Sequence, residues 1–304
     1  MTDAPPVEAI DCDHVRFQLP DLDAQARFLK DFGFEVDRRE DALRALARDG
    51  TAPYRAKPGE ARFLGFGLRV ESEADIHTLV SQGARLDLDD GQNCAALVDP
   101  DGWEVRAIAR SGIPSDTATL RNEAGRHERG IGRYAIAGGP SHVLRLGHIV
   151  LQARDFAASF SFYTETFGML ASDEIEGFDG SGTIGAFLRC DRGERPADHH
   201  TLFLMQSPDG TARFEHAAFE VRDIDDLMVG HDHLAQAGHK HSWGVGRHIL
   251  GAHVFDYWRD PAGFELEHWT DGDLLDASEK PGRHPLATLM GAQWGPPHPM
   301  IRSQ

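Results

Sequence analysis

An α+β fold in two tandem halves is predicted for this chain by its length and by two internal repeats. At 304 residues it exceeds the usual size of one compact domain. A strand leading into a helix occurs near residue 13 and again near residue 147. A Pro-x-Gly turn leading into a strand occurs near residue 99 and again near residue 260.

Taken in order, DHVRFQLPDLDAQARFLKDFGFEV (13–36) reads as a short apolar strand, then Asp21 as a helix N-cap, then a helix stopped by Gly33. GHIVLQARDFAASFSFYTETFGML (147–170) repeats the plan and stops at Gly168. Its Phe156, Phe160, Tyr163 and Phe167 recur every three or four residues, which marks a core stripe. FLGFGLRVESEADIHTLVSQGARL (63–86) matches FEHAAFEVRDIDDLMVGHDHLAQAGHKH (214–241): an alternating strand, an acidic helix start, a helix and a Gly stop, with the second helix about one turn longer. DPDGWEVRA (99–107) and DPAGFELEH (260–268) then pass through the Pro-x-Gly turn into a strand. The chain therefore reads as four β-α-β modules, two per half. Residues 110–142 are polar, end in Gly138, Gly139 and Pro140, and read as a connector. Residues 279–304 are rich in Pro, Gly and His without periodicity and read as a tail packing on the body.

The composition, 40% hydrophobic and 26% charged, is that of an ordinary globular protein. A formal net charge of -18 argues against nucleic acid and anionic lipid as partners. No apolar run approaches a membrane span and the N-terminus lacks a signal-like pattern, so a cytoplasmic location is expected. Cys12, Cys94 and Cys190 show no CxxC spacing and are expected to be buried and unpaired.

Where the halves are duplicates, the positions that differ carry the information. His14 matches His148, but Gly65 stands opposite His216 and Arg106 opposite Glu267. Only the second half holds two imidazoles and a carboxylate. That donor set, on one face with open positions, suits iron(II) binding substrate and dioxygen together, whereas zinc favours closed tetrahedral sites. Strand alternation puts His148 on a face with Val150 and Gln152, and Glu267 on a face with Glu265.

The second half resembles the catalytic half of the type I extradiol dioxygenases of the vicinal oxygen chelate superfamily, and the likeness extends over nearly the whole chain. GRHILGAHVFDYWRDPAGFELEHW (246–269) carries the pattern Gly-Arg-His, a Tyr nine residues on from the His, Pro-x-Gly and a Glu. HHTLFL (199–204) is similar to the histidine pair that precedes the second metal ligand. The resemblance implies two domains, each a pair of βαβββ modules forming an open barrel-like cup: 1–138 without metal and 139–276 catalytic, with 277–304 as the tail. It implies extradiol cleavage of a catechol-type ring by dioxygen, with His148, His216 and Glu267 holding Fe(II), Mn(II) being the alternative metal. His200 becomes the acid/base histidine, and His248 and Tyr257 hydrogen-bond the substrate hydroxyl oxygen. His199 competes with His200, and strand alternation is expected to send only one of the two toward the metal.

Some residues depart from the pattern. Val150 is apolar where some relatives carry a polar group, and His253 adds an imidazole expected near the substrate side. His253, His268, His284 and His298 are otherwise expected to be solvated or to serve in packing. The rival readings are a glyoxalase-like isomerase, whose chemistry wants four protein ligands, and a metal-free protein that binds an aromatic compound or antibiotic. The expected substrate is a substituted or bicyclic catechol of low negative charge, and the expected assembly a homo-oligomer.

Overall fold

A computed structural model describes residues 7–110, 121–133, 135–178, 180 and 182–299. Residues 1–6, 111–120 of the expected connector and 300–304 of the expected tail lie outside the described residues.

The first half runs β1 (Ala9–Leu19), α1 (Leu22–Phe32), β2 (Glu35–Arg38), β3 (Leu43–Leu46), β4 (Tyr54–Pro58), β5 (Arg62–Val70), α2 (Glu73–Ser81), β6 (Arg85–Asp89), β7 (Gln92–Val98) and β8 (Glu104–Ile108). These are two βαβββ modules joined through β1 and β5 in an eight-stranded sheet of order β2-β3-β4-β1-β5-β8-β7-β6. The connector holds a small hairpin, β9 (Asn122–Glu123) and β10 (Arg126–His127).

The second half repeats the plan with β11 (Val143–Ala153), α3 (Phe156–Phe167), β12 (Leu170–Glu176), β13 (Thr183–Arg189), the two-residue β14 (Ala197–Asp198), β15 (Leu202–Gln206), β16 (Arg213–Val221), α4 (Ile224–Gln236), β17 (Lys240–His248), β18 (Val254–Arg259) and β19 (Glu265–Thr270). After β20 (Leu274–Leu275) come β21 (Gly282–Pro285), a 3-10 turn (Leu286–Met290) and β22 (Ala292–Trp294). The second sheet has the order β21-β12-β13-β15-β11-β16-β19-β18-β17-β22. Its inner eight strands match the first sheet position for position, and both sheets stay open. The expected tail is thus built into the fold: β21 and β22 extend the sheet at its two opposite edges.

The helices begin and end where local chemistry dictates. Asp21 accepts hydrogen bonds from the backbone of Asp23 and Ala24, Asp155 from Ala158 and Asp223 from Asp226, satisfying amides that a helix start leaves free. Gly33 closes α1 at φ 115, and a Cβ there would meet the Ser141 carbonyl oxygen at 2.2 Å, so both conformation and space demand glycine. Both Pro-x-Gly turns are tied in the same way: Asp99 accepts from the amides of Asp101 and Trp103, and Asp260 from those of Ala262 and Phe264.

The halves pack reciprocally. Gln25 of α1 donates to Asp260 of the second half's turn at 3.0 Å, while Ser159 of α3 donates to Asp101 and Tyr163 to Asp99 of the first half's turn. Between the sheets, Phe63 stacks on Phe214 and Phe17 meets it edge-on, and one continuous apolar core runs through both halves. All three cysteines are buried and unpaired, as expected. No helix among the described residues is long and apolar enough to cross a membrane.

Candidate metal centre and active site

Strand register converts the repeat mismatch into geometry. In the second sheet, Ala218 of β16 is flanked by His148 of β11 on one side and Glu267 of β19 on the other, and Tyr257 of β18 follows Glu267 in the same row. His216 lies two residues along β16, on the face of Ala218. The first sheet has the same row as His14, Gly67 and Arg106, with Gly65 in the place of His216. The pairing inferred between the halves therefore holds residue by residue.

His148 Nε2 and His216 Nε2 both lie 3.2 Å from Glu267 Oε2, and the carboxylate is fully buried. His216 Nε2 lacks hydrogen-bonding geometry despite that distance, and Glu267 Oε1 has no hydrogen-bond partner among the described residues. Buried polar atoms left unsatisfied are costly. Here their lone pairs converge, two imidazoles and a carboxylate, which fits a divalent metal of the iron class. Burial pushes the Glu267 carboxyl up, but the imidazoles of His148, His216 and His248 more than reverse this and hold it well below the usual carboxylate range. Burial also lowers the His148 imidazole, favouring the neutral form a metal requires.

A second cluster shares His148: with His200 and His253 it also brings three nitrogens within reach of one another. It contains no carboxylate, and His253 does not line the cavity. His253 was expected near the substrate side. Instead it is buried behind His148, stacked on it with centroids 5.4 Å apart and packed on Trp269 at 4.4 Å. Of the two clusters, only the set of His148, His216 and Glu267 combines imidazole and carboxylate donors beneath the cavity.

A cavity of about 410 Å³ opens over the ligands and is lined by His148, His200, His216, His248 and Tyr257. Tyr257 Oη lies 3.0 Å from His248 Nε2. Burial and the adjacent Glu267 raise the Tyr257 phenol well above its ordinary value, so it stays protonated. Burial, together with His148, His253 and His199, lowers the His200 imidazole well below its ordinary value, so it rests neutral.

The alternation expected at the histidine pair does not occur. Residues 199–201 form a bend between β14 and β15, not a strand, and both rings are buried with their Nδ1 atoms 3.1 Å apart. His200 faces His148 at a centroid distance of 4.1 Å and lines the cavity; His199 instead bonds Asp173. Of the other histidines, His268 is buried against the Phe32 carbonyl, a packing role. His284 bonds Asp173, and His298 packs on Trp243 and lines the cavity. Sequence reasoning missed the cavity wall made by Leu286, Leu289 and Met290, because the tail offers no periodic signal.

In the first half, the cluster of Asp13, His14 and Asp89 is already charge-balanced. Arg106 lies 3.3 Å from Asp89, and Arg110 lies 3.2 Å from Asp13 and 3.3 Å from Asp89. A guanidinium fills the place of the second half's carboxylate ligand.

Residues 145–268 match the model of the Glyoxalase/Bleomycin resistance protein/Dioxygenase superfamily. Metapyrocatechase 2 of Cupriavidus necator is 31% identical over 304 residues, covering 94% of this chain and 89% of that protein. The chain belongs to the extradiol ring-cleavage dioxygenases of the vicinal oxygen chelate superfamily. Solved structures agree on the fold. The 2,3-dioxygenase LapB from Pseudomonas sp. KL28 superposes with a TM-score of 0.74 at 16% identity, covering 92% of this chain and 99% of that one. The Mn(II)-bound glyoxalase from Novosphingobium aromaticivorans superposes at 0.73 and 21% identity, covering 97% and 94%. As an extradiol dioxygenase, the chain opens a catechol-type ring with dioxygen at a mononuclear non-haem iron(II) site.

Proposed function

We propose that His148, His216 and Glu267 hold the iron, that the second half (139–276) is the catalytic domain, and that the substrate is a substituted or bicyclic catechol of low negative charge. The observation that carries this is the convergence of two imidazoles and a buried carboxylate with unsatisfied lone pairs beneath a single cavity. The first half (1–138) carries no metal on this reading, since Arg106 and Arg110 already neutralise its carboxylates. Within the tail expected to pack on the body, Leu286, Leu289, Met290 and His298 complete the cavity.

Bound iron(II) supplies the electron path between the aromatic diol and dioxygen. The protein supplies orientation and protons. His248 and Tyr257, on adjacent strands, hydrogen-bond one substrate hydroxyl oxygen and fix the ring's angle in the cavity. His200, neutral at rest, takes a proton from the substrate and returns it when the ring opens. Its Nδ1 is engaged by His199, so Nε2 is the nitrogen that does this.

The cavity wall sets the substrate. Val150, Phe187, Phe203, Leu286 and Leu289 make it apolar and large enough for more than one ring. Glu215 and Glu265 line it as well, and its single arginine, Arg259, is paired with Glu265 at 3.1 Å. An anionic ring substituent would find no free cation among these lining groups.

We further propose homo-oligomeric assembly and a cytoplasmic location. Leu86 and Leu88 are exposed on one face of the edge strand β6 of the first sheet, and unpaired buried cysteines suit a reducing compartment. The test is a panel of neutral and carboxylated catechols followed by the yellow ring-opened product. Preferential turnover of neutral, bulky rings is expected; turnover restricted to carboxylated rings would overturn the substrate assignment.

A further inference from the structure

Behind His200, on the side away from the cavity, a chain of hydrogen bonds leads toward the protein surface. His199 Nδ1 lies 3.1 Å from His200 Nδ1, and His199 Nε2 lies 2.8 Å from Asp173 Oδ2. The other carboxylate oxygen, Oδ1, lies 2.9 Å from Nε2 of His284, whose side chain is 31% exposed. Four residues from three separate stretches of chain are thus linked end to end.

The last link depends on the C-terminal strand. β21 pairs in parallel with β12, setting Gly282 beside Asp173 and His284 beside Ile175. A Cβ on Gly282 would lie 2.3 Å from Asp173 Oδ1 and 2.6 Å from His284 Nε2, so any side chain there would displace the bond.

We propose that His199, Asp173 and His284 are positioning residues that set which nitrogen of His200 carries its hydrogen and hold its ring in place. This rests on the reading of His200 as the acid/base residue. An ionised carboxylate only accepts, so both His199 Nε2 and His284 Nε2 must donate to Asp173. Although burial raises the Asp173 carboxyl, these two imidazoles outweigh it and keep it below its ordinary value, which supports the ionised form. With His199 neutral and its hydrogen on Nε2, its Nδ1 can only accept. His200 must therefore donate from Nδ1, which leaves Nε2 as a bare lone pair, the form a base needs.

The half-exposed His284 satisfies the second oxygen of Asp173, keeping the carboxylate aimed at His199.

The test combines histidine 15N NMR of the diamagnetic zinc(II)-loaded enzyme with kinetics of the iron enzyme. In the wild type, His200 is expected to carry its hydrogen on Nδ1, and Asp173→Asn is expected to remove that preference. Asp173→Asn and His199→Asn should each lower kcat roughly tenfold or more with KM and iron content nearly unchanged, and Gly282→Val should reproduce part of the loss without touching any titratable group. A His200 hydrogen on Nε2 in wild type and Asp173→Asn alike would overturn the proposal. So would kcat values of Asp173→Asn and His199→Asn within about twofold of wild type while His200→Phe is crippled. Full turnover by His200→Phe would instead sink the acid/base reading itself, and the NMR result would still decide whether Asp173 sets the ring's hydrogen.

Discussion

His148 and Glu267 meet at 3.2 Å although they sit on strands that are not neighbours, because β16 runs between them and carries only the methyl group of Ala218 at that level. The contact places a fully buried carboxylate against imidazoles with part of its hydrogen-bonding capacity unused. A ligand that binds this arrangement and not the unfolded chain must stabilise the fold. At a free iron(II) concentration 100 times its dissociation constant, the gain is about 2.7 kcal/mol. Anaerobic thermal unfolding should show a Tm rise on adding iron(II) to the wild type and little or none in His148→Ala, His216→Ala or Glu267→Ala. An equal rise in all four proteins would contradict the assignment.

His200 packs against His148 but is none of the three proposed ligands, so its replacement by a ring of similar size separates proton handling from binding. His200→Phe should retain iron and catechol affinity while kcat falls about a hundredfold to ten-thousandfold, the range typical of general acid/base assistance. Steady-state kinetics at saturating catechol check this, and an unchanged kcat would remove His200 from the mechanism.

The wall supplied by Leu286 and Leu289 predicts a different signature. Both pack on the apolar cluster of Val150, Phe187 and Phe203 and carry no polar group, so Leu286→Ala and Leu289→Ala should weaken substrate binding without slowing the chemical step. Losing an apolar contact worth roughly 1 kcal/mol corresponds to about a fivefold rise in KM. A comparable fall in kcat at constant KM would show that these residues position the chemistry itself.

These predictions also mark what the sequence could disclose. That His148, His216 and Glu267 come together was legible because duplication supplied an internal reference: Gly65 and Arg106 occupy the register positions of His216 and Glu267 in the first half. The cap at Asp21 was legible because capping is local. The wall at Leu286 and Leu289 was not, since β21 and β22 are short edge strands chosen by tertiary contact and not by pattern. His199 does turn away from the cavity while His200 lines it, but the bend at 199–201 achieves this and not the strand alternation from which it was argued. The bond between Asp173 and His284 joins residues 111 apart, and nothing in either segment announces the other.

Asp260 gives the fold a pH dependence of known sign. Burial lifts its carboxyl from 3.8 to about 6, against the hydrogen bonds from Phe264, Gln25 and Ala262 that oppose the rise. The folded protein therefore binds more protons than the unfolded chain between those values, so Asp260's stabilising contribution is full below about pH 4 and is lost as pH rises through about 6. The shift corresponds to about 3 kcal/mol. Urea unfolding between pH 4 and 7 should show the wild type losing stability relative to Asp260→Asn by that order, and parallel profiles would contradict the burial argument.

Iron analysis of protein produced and handled without oxygen tests the central claim most directly, because it counts sites and identifies them together. The account predicts about one iron per chain in the wild type and in His200→Phe, and less than roughly a tenth of that in Glu267→Ala, since loss of one ligand in three sharply reduces affinity. Two irons per chain would mean that the first half also binds metal despite Arg106. Full iron occupancy in Glu267→Ala would mean that the metal sits elsewhere, and the assignment of this centre would fall.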